Sequence, residues 1–330
     1  MKKLLLILTG GTICSFKDST GYNSADAGRA APVLVELLRN SDSRAKEAEF
    51  DIIRPLDTLS ENMTIAKWNI LLDALRDVDY GAYAGILIAH GTDTLHLTAP
   101  LLSVVLEGSP IPVGLVSSNR ILEDEEANGG ENFIRSVEHI AELSSSSHEH
   151  ATSGEVFVIY RNTDGVTYLH KANALRRCTD FSEDFFSSGM RPVEEAASEG
   201  MKEDTGWEKT EAAGTMPLFR MPLFKMKPLQ ESVLVIDPYV GINYRQFNIS
   251  GIRHVLHLTY HSGTADAGRL AAFTRVCKEQ DVDVYLAPVP GDYKYSSTAE
   301  LVAAGVKPMP DVTMGEAYAR LLVMDAMRDI

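Results

Sequence analysis

Short uninterrupted apolar runs alternate with longer amphipathic segments along most of this chain, and that alternation limits its possible folds more than any other property. Residues 4–8 read Leu-Leu-Leu-Ile-Leu, and further short, mainly apolar runs fall at 50–54, 85–89, 113–116 and 156–160. A strand apolar at every position, rather than at every second one, is covered on both faces. Between these runs, 32–38, 64–78, 95–106 and 133–143 read as helices; Ile65, Trp68, Leu71, Leu72 and Leu75 share one helical face. Pro32 is expected in a first helical turn, where its missing N–H costs nothing. The pattern predicts an α/β fold, a doubly wound and mainly parallel sheet with helices on both faces.

Residues 190–230 interrupt the alternation with a stretch rich in Glu, Lys, Met and Pro. It holds a short duplication, Met216-Pro217-Leu218-Phe219 and Met221-Pro222-Leu223-Phe224. That is too short for a repeat architecture and reads as extended chain lying on a surface, or as chance. Alternation then resumes, with strands expected at 232–236, 255–259 and 282–287 and helices at 267–279 and 313–327. The expected organisation is an N-terminal catalytic domain over 1–190, an interdomain linker over 191–230 and a smaller C-terminal α/β domain over 231–330.

Charge and cysteine usage exclude several functional classes. The chain carries 31 Lys and Arg against 46 Asp and Glu, a formal charge of −15. That balance opposes the phosphate neutralisation on which nucleic-acid binding runs, and opposes docking on anionic membranes. Cys14, Cys178 and Cys277 are odd in number and widely spaced, so no disulfide framework or metal pattern is expected. The N-terminal apolar run breaks at Thr9-Gly10 without a cleavage site, and no segment approaches the ~20 apolar residues of a membrane span. A cytoplasmic protein is the expectation. Of His254, His257 and His261, only the last two share a strand face, and no carboxylate stands beside them at ligand spacing, so no metal is expected. The polar stretches at 144–150 and 123–126 read as solvated loops.

In open parallel sheets ligands bind outside the carboxyl ends of the strands, so the turns after strands carry the chemistry. Two of them look alike. The first strand leads into Thr9-Gly10-Gly11-Thr12-Ile13, and the third into His90-Gly91-Thr92-Asp93-Thr94. Each places glycine just ahead of threonine, so that backbone N–H groups can approach a ligand closely while a hydroxyl faces it. A threonine hydroxyl is a weak nucleophile that needs a polarising partner. Two at neighbouring strand ends suit acyl transfer, with Asp93 placed to hold a substrate ammonium group. The GxGxxG spacing of a dinucleotide loop is absent.

These two turns, with Leu59-Ser60-Glu61-Asn62-Met63-Thr64 after the second strand, resemble the bacterial-type L-asparaginase family in order, spacing and placement. Within 291–305, Ser297, Thr298 and Leu301 loosely match the family's closing segment, as does Asp311-Val312-Thr313-Met314-Gly315-Glu316-Ala317, so the likeness spans nearly the whole chain. The resemblance implies an N-terminal doubly wound sheet, a smaller C-terminal domain, and a homodimer or homotetramer whose sites are completed by a neighbour. It implies hydrolysis of the side-chain amide of L-asparagine or a related ω-amide, with no cofactor and no metal. Carried over, Thr12 is the nucleophile and Thr92 orients the water. Asp93 and Glu61 hold the substrate amino group, Ser60 holds its carboxylate, and backbone near Gly11, Gly91 and Thr92 lines the substrate and oxyanion site. Tyr22, in a stretch of loop composition over 14–30, matches the tyrosine of the family's lid.

The chain also departs from the family. Aligning Asp184-Phe185-Phe186 with the family's Asp-Ala-Phe segment puts Arg177 where a lysine is usual, and Lys171 lies six residues earlier. Arginine stays charged throughout and cannot relay a proton. Six strand residues span roughly 20 Å, so Lys171 would return to the site only through a bend near 172–174. Arg177 is therefore expected as an electrostatic stand-in. Ser262-Gly263-Thr264 stands where the family usually has Gly-Asn. Two other readings remain: an amino-acid-binding or sensory protein with a degraded site, and a tRNA-dependent amidotransferase subunit. The second ranks behind hydrolysis, because that subunit carries a further N-terminal domain and here the catalytic strand starts at residue 3.

Overall fold

In the computed structural model, residues 2–21, 23–145, 154–198 and 221–328 are described. They fall into two units, Met1–Phe224 and Lys225–Ile330. The first opens with β1 (Leu4–Leu8), a small hairpin of β2 (Ser15–Lys17) and β3 (Asn23–Ala25), α1 (Ala27–Arg39) and β4 (Phe50–Ile53). It continues with α2 (Ile65–Arg76), β5 (Gly85–Ala89), α3 (Leu95–Val105), β6 (Val113–Val116) and α4 (Gly129–Ser145). It closes with β7 (Val156–Arg161), β8 (Thr167–Lys171), β9 (Arg191–Pro192) and α5 (Val193–Ser198).

Seven strands form one sheet in the order β4-β1-β5-β6-β7-β8-β9, the first five parallel and the last two antiparallel. Every residue of β1 and β5 is buried, as their unbroken apolar sequences require. Each such leucine contributes about 1.5–3 kcal/mol by leaving water. Leu4, Leu6 and Leu8 pack with Leu34 and Leu38 of α1 and with Phe133 and Val137 of α4. β1 pairs with β5 in strict register from Leu4↔Gly85 to Leu8↔Ala89, so the two strands end side by side. With β4 on one flank of β1 and β5 on the other, successive connections leave β1 in opposite directions. A doubly wound sheet opens its ligand crevice at that reversal.

Two local expectations are corrected. The first helix starts five residues before Pro32, at Ala27, because the Asp26 side chain caps it by accepting the Arg29 N–H at 3.1 Å. Pro32 lies inside this helix, exposed. The stretch 14–30 is not simply a loop: β2 and β3 pair antiparallel, Phe16↔Ser24, and the Arg29 guanidinium lies 4.2 Å above the Phe16 ring. The second copy of the short duplication belongs to the first unit, since Arg76 Nε donates to the Leu223 carbonyl at 2.9 Å and Leu223 is buried. The first copy, 216–219, lies outside the described residues.

The second unit has β10 (Val233–Ile236), β11 (His254–Leu258), α6 (Ala267–Glu279), β12 (Asp283–Val289), α7 (Ser296–Ala304), β13 (Lys307–Pro310) and α8 (Met314–Ala326). Its four strands are parallel in the order β10-β11-β12-β13. α7 and β13 have no counterpart in the sequence reading. β13 reads Lys-Pro-Met-Pro, and proline is confined to edge strands such as this one, so it carries no apolar signature. The histidines of β11 are structural. His257 Nδ1 donates to the Leu258 carbonyl at 2.6 Å and its Nε2 accepts from the Tyr244 hydroxyl at 2.8 Å. His254 packs edge-on against Tyr285. Among the described residues no group of side chains has the make-up of a metal site, and no helix is long and apolar enough to cross a membrane.

Candidate active site

Three turns meet at the ends of β1, β4 and β5, and their backbones touch. Gly10 bridges Thr58 in parallel fashion, with Gly11 N–H donating to the Thr58 carbonyl at 2.8 Å and Thr58 N–H to the Thr9 carbonyl at 3.0 Å. Gly11 adopts φ +79, and a Cβ on it would lie 2.2 Å from Gly91 Cα. A Cβ on Gly91 would in turn lie 2.4 Å from Ser60 Oγ. Glycine is thus required at both positions, once for the left-handed backbone and at each for the contact itself. The residues following those glycines, Thr12 and Thr92, are both half-buried, and among the described residues neither hydroxyl has a hydrogen-bond partner.

Ser60, buried, joins the second turn to the third. Its Oγ donates to Asp93 Oδ2 at 3.0 Å and accepts the Asp93 N–H at 3.2 Å, while Thr94 Oγ1 donates to the Ser60 carbonyl at 3.0 Å. Asp93 and Glu61 are both exposed, so their carboxylates are open to a ligand. Lys67 Nζ donates to Thr58 Oγ1 at 2.7 Å and to the Asn62 carbonyl at 2.8 Å, spanning both ends of the second turn. The sequence reading passed over Lys67 because a lysine in the first turn of a helix carries no signal of its own.

Two histidines stand around the third turn. His90 is fully buried, its Nδ1 donates to the Gly91 carbonyl at 2.7 Å, and burial pushes its pKa down to about 4. His96, in the first turn of α3, is also pushed down to about 4, by burial first and then by the Arg177 cation, against the opposing pull of Asp93. Both rings are neutral at neutral pH. The Cys178 thiol is pushed up to about 11 by burial, with Asp184 and Asp93 adding to the shift, and stays protonated.

Arg177 is exposed, and its charge is felt at His96. β8 runs antiparallel to β7 and ends with Lys171 opposite Phe157, near the start of β7, where Lys171 is exposed. A 3-10 turn at Ala172–Ala174 then packs against α3. The chain thus bends at 172–174, the feature on which a return of Lys171 would depend, and beyond the bend comes Arg177, whose charge is felt at His96. Among the described residues no contact ties Lys171 to His96 or Asp93. Tyr22 lies outside the described residues. In the second unit, Ser262-Gly263-Thr264 forms a closed turn, with Ser262 Oγ 3.0 Å from Thr264 Oγ1 and the Tyr260 N–H donating to the Thr264 carbonyl at 2.9 Å.

Known proteins resemble this chain over most of its length. The profile described as "Asparaginase, N-terminal" matches residues 3–207. Among curated proteins, a glutamyl-tRNA(Gln) amidotransferase subunit of Methanococcus maripaludis is 26% identical over 98% of this chain and 75% of its own length. The corresponding subunit from Methanosphaera stadtmanae is 30% identical over 76% of this chain and 56% of its own. Among solved structures, L-asparaginase I of Vibrio cholerae superposes with TM-score 0.69 at 22% identity, covering 100% of this chain and 94% of that one. The thermostable L-asparaginase of Thermococcus kodakarensis gives 0.67 at 20%, covering 99% and 94%. At such identities the solved structures establish the fold. The low rank given to the amidotransferase reading is corrected by the curated relatives, which carry that name.

Proposed function

The chain belongs to the asparaginase family, and on that premise we propose that it hydrolyses the side-chain amide of L-asparagine to L-aspartate and ammonia through a threonine ester. The observation that supports this reading is the close backbone approach of Gly11 and Gly91, the residues just ahead of Thr12 and Thr92. Thr12 Oγ attacks the amide carbon while its proton passes, by way of Tyr22 and water, to the amide nitrogen, and the carbonyl oxygen becomes an oxyanion held by N–H groups around Gly91 and Thr92. Protonation of the nitrogen releases ammonia and leaves the acyl group on Thr12. Water, oriented by Thr92, attacks the ester; its proton returns to Thr12 and aspartate leaves. Asp93 and Glu61 hold the substrate ammonium group, Ser60 and Gly11 line its carboxylate end, and Tyr22 closes the site. Arg177 supplies a fixed positive charge beside Asp93 and His96, where a proton-relaying amine would otherwise stand. No cofactor enters the scheme, and a homodimer or homotetramer in the cytoplasm is the proposed working form.

The curated relatives support a second reading, in which the same amide chemistry supplies ammonia within a tRNA-dependent amidotransferase and the chain works with a protein partner. Both readings share the Thr12 ester and differ in the fate of the ammonia. An ammonia-release assay of the isolated protein on L-asparagine, D-asparagine and L-glutamine tests them. Turnover of L-asparagine supports free hydrolysis. Substrate-induced thermal stabilisation without turnover would overturn it, and would leave the amidotransferase or a binding protein.

A further inference from the structure

We propose that Lys67 is the cationic specificity residue of this site, clasping the 58–62 turn while its ammonium group meets the carboxylate end of an amino-acid amide. The inference rests on the amidase reading above and deepens it. A ligand carboxylate entering here meets like charges on Glu61 and Asp93, with Asp57 just before the second turn, and needs a cation to be held. Ser60, the residue expected to hold that carboxylate, has only one hydroxyl proton, and here it is donated to Asp93 Oδ2 at 3.0 Å. The charge of Arg177 is felt at His96. Lys67 is placed on the second turn itself. Its N–H is held by the Thr64 cap at 3.3 Å, and its ammonium reaches Thr58 Oγ1 at 2.7 Å and the Asn62 carbonyl at 2.8 Å.

An ammonium group has three donors, and two are spent on the turn, which leaves one for a ligand. Thr58, the first of its partners, is joined through its backbone to Gly11 and Thr9. Lys67 is therefore a single side-chain bond away from the loop that carries Thr12. It both stiffens the binding turn and gives it positive charge, and charge-assisted hydrogen bonds of this kind are about twice as strong as neutral ones.

The test compares wild type, Lys67→Met and Lys67→Arg in the full chain on L-asparagine and on its methyl ester, whose carboxylate is capped. For L-asparagine, Lys67→Met is expected to raise KM about tenfold with kcat within about twofold, as for a lost uniform binding interaction. For the ester the same variant should change KM by less than about twofold. Lys67→Arg should restore most of the loss. Calorimetric titration with L-aspartate reads the same effect without turnover. Equal losses on acid and ester would show a merely structural clasp and overturn the proposal, as would no loss on either. A wild type that binds L-aspartate through Lys67 without releasing ammonia sinks the hydrolysis reading and keeps this one. Turnover indifferent to Lys67 does the reverse, and a wild type that neither binds nor turns over removes both.

Discussion

The two units are built from similar material, sheets of mainly parallel strands with helices, yet the turns at their strand ends meet in different ways. In the first, β1 and β5 finish level and the turns beyond them press glycine against glycine. In the second, β11 leads into the Ser262–Thr264 turn, whose two hydroxyls bond to each other, and β12 into a turn where the Pro290 ring, rather than a second glycine, lies against Gly263. A parallel sheet offers a crevice; backbone contact between its turns is what aims side chains into it.

The comparison breaks most sharply at the threonines. Thr12→Ala and Thr92→Val should each lower kcat by about a thousandfold or more, the scale of losing a nucleophile or its partner, with an unchanged thermal midpoint. Should either variant keep more than a few per cent of activity, the two-threonine scheme is wrong.

The contact itself is tested next. Gly11→Ala must displace Gly91 and hold alanine at φ +79, so both activity and thermal midpoint should fall. In the second unit Gly251→Ala, at φ +76 with nothing within 4 Å, meets only the backbone cost of about 1–2 kcal/mol. Thermal melts that rank Gly251→Ala as the worse would refute the asymmetry drawn between the units.

A smaller effect separates two cations. Arg177→Met should reduce kcat by roughly ten- to a hundredfold, as for loss of one electrostatic contact in a site, while Lys171→Met stays near wild type. The reverse ranking would return the role to Lys171. A rise in activity for Arg177→Lys would mean that a proton-relaying amine still fits.

The mildest prediction concerns acid. His90, His96 and His170 in the first unit and His257 in the second are all pushed down to about 4 by burial. Between about pH 6.5 and 4 the unfolded chain binds protons that the folded one refuses. The stability due to the neutral rings is therefore complete above pH 6.5 and is lost as pH falls toward 4. With three such rings against His257 and a His254 that burial also lowers, hydrogen exchange should show the first unit opening before the second on acidification. Simultaneous opening would remove this difference between them.

Much of the first unit was legible from one dimension. The unbroken apolar runs of β1, β5, β6 and β7 could only be doubly covered strands, and strand ends pointed directly to Thr12 and Thr92. What escaped had weak or misleading local signals. Pro308 and Pro310 hid β13, Pro32 displaced the expected start of α1, and the polar composition of 14–30 hid a hairpin. Lys67 and His96 carry no mark of function in the sequence, because nothing near them in the chain tells what they will face.

By itself the sequence determined most of the buried strands and longer helices, their order, and which glycines and threonines follow the strands. Burial periodicity and turn chemistry are local properties, written within a few residues. The tertiary structure alone decided which turns touch, that the chain bends at 172–174 ahead of Arg177, and that Lys67 spans the Ser60 turn. Those outcomes join residues far apart in the chain, and they depend on strand order and register, which neighbouring residues do not encode.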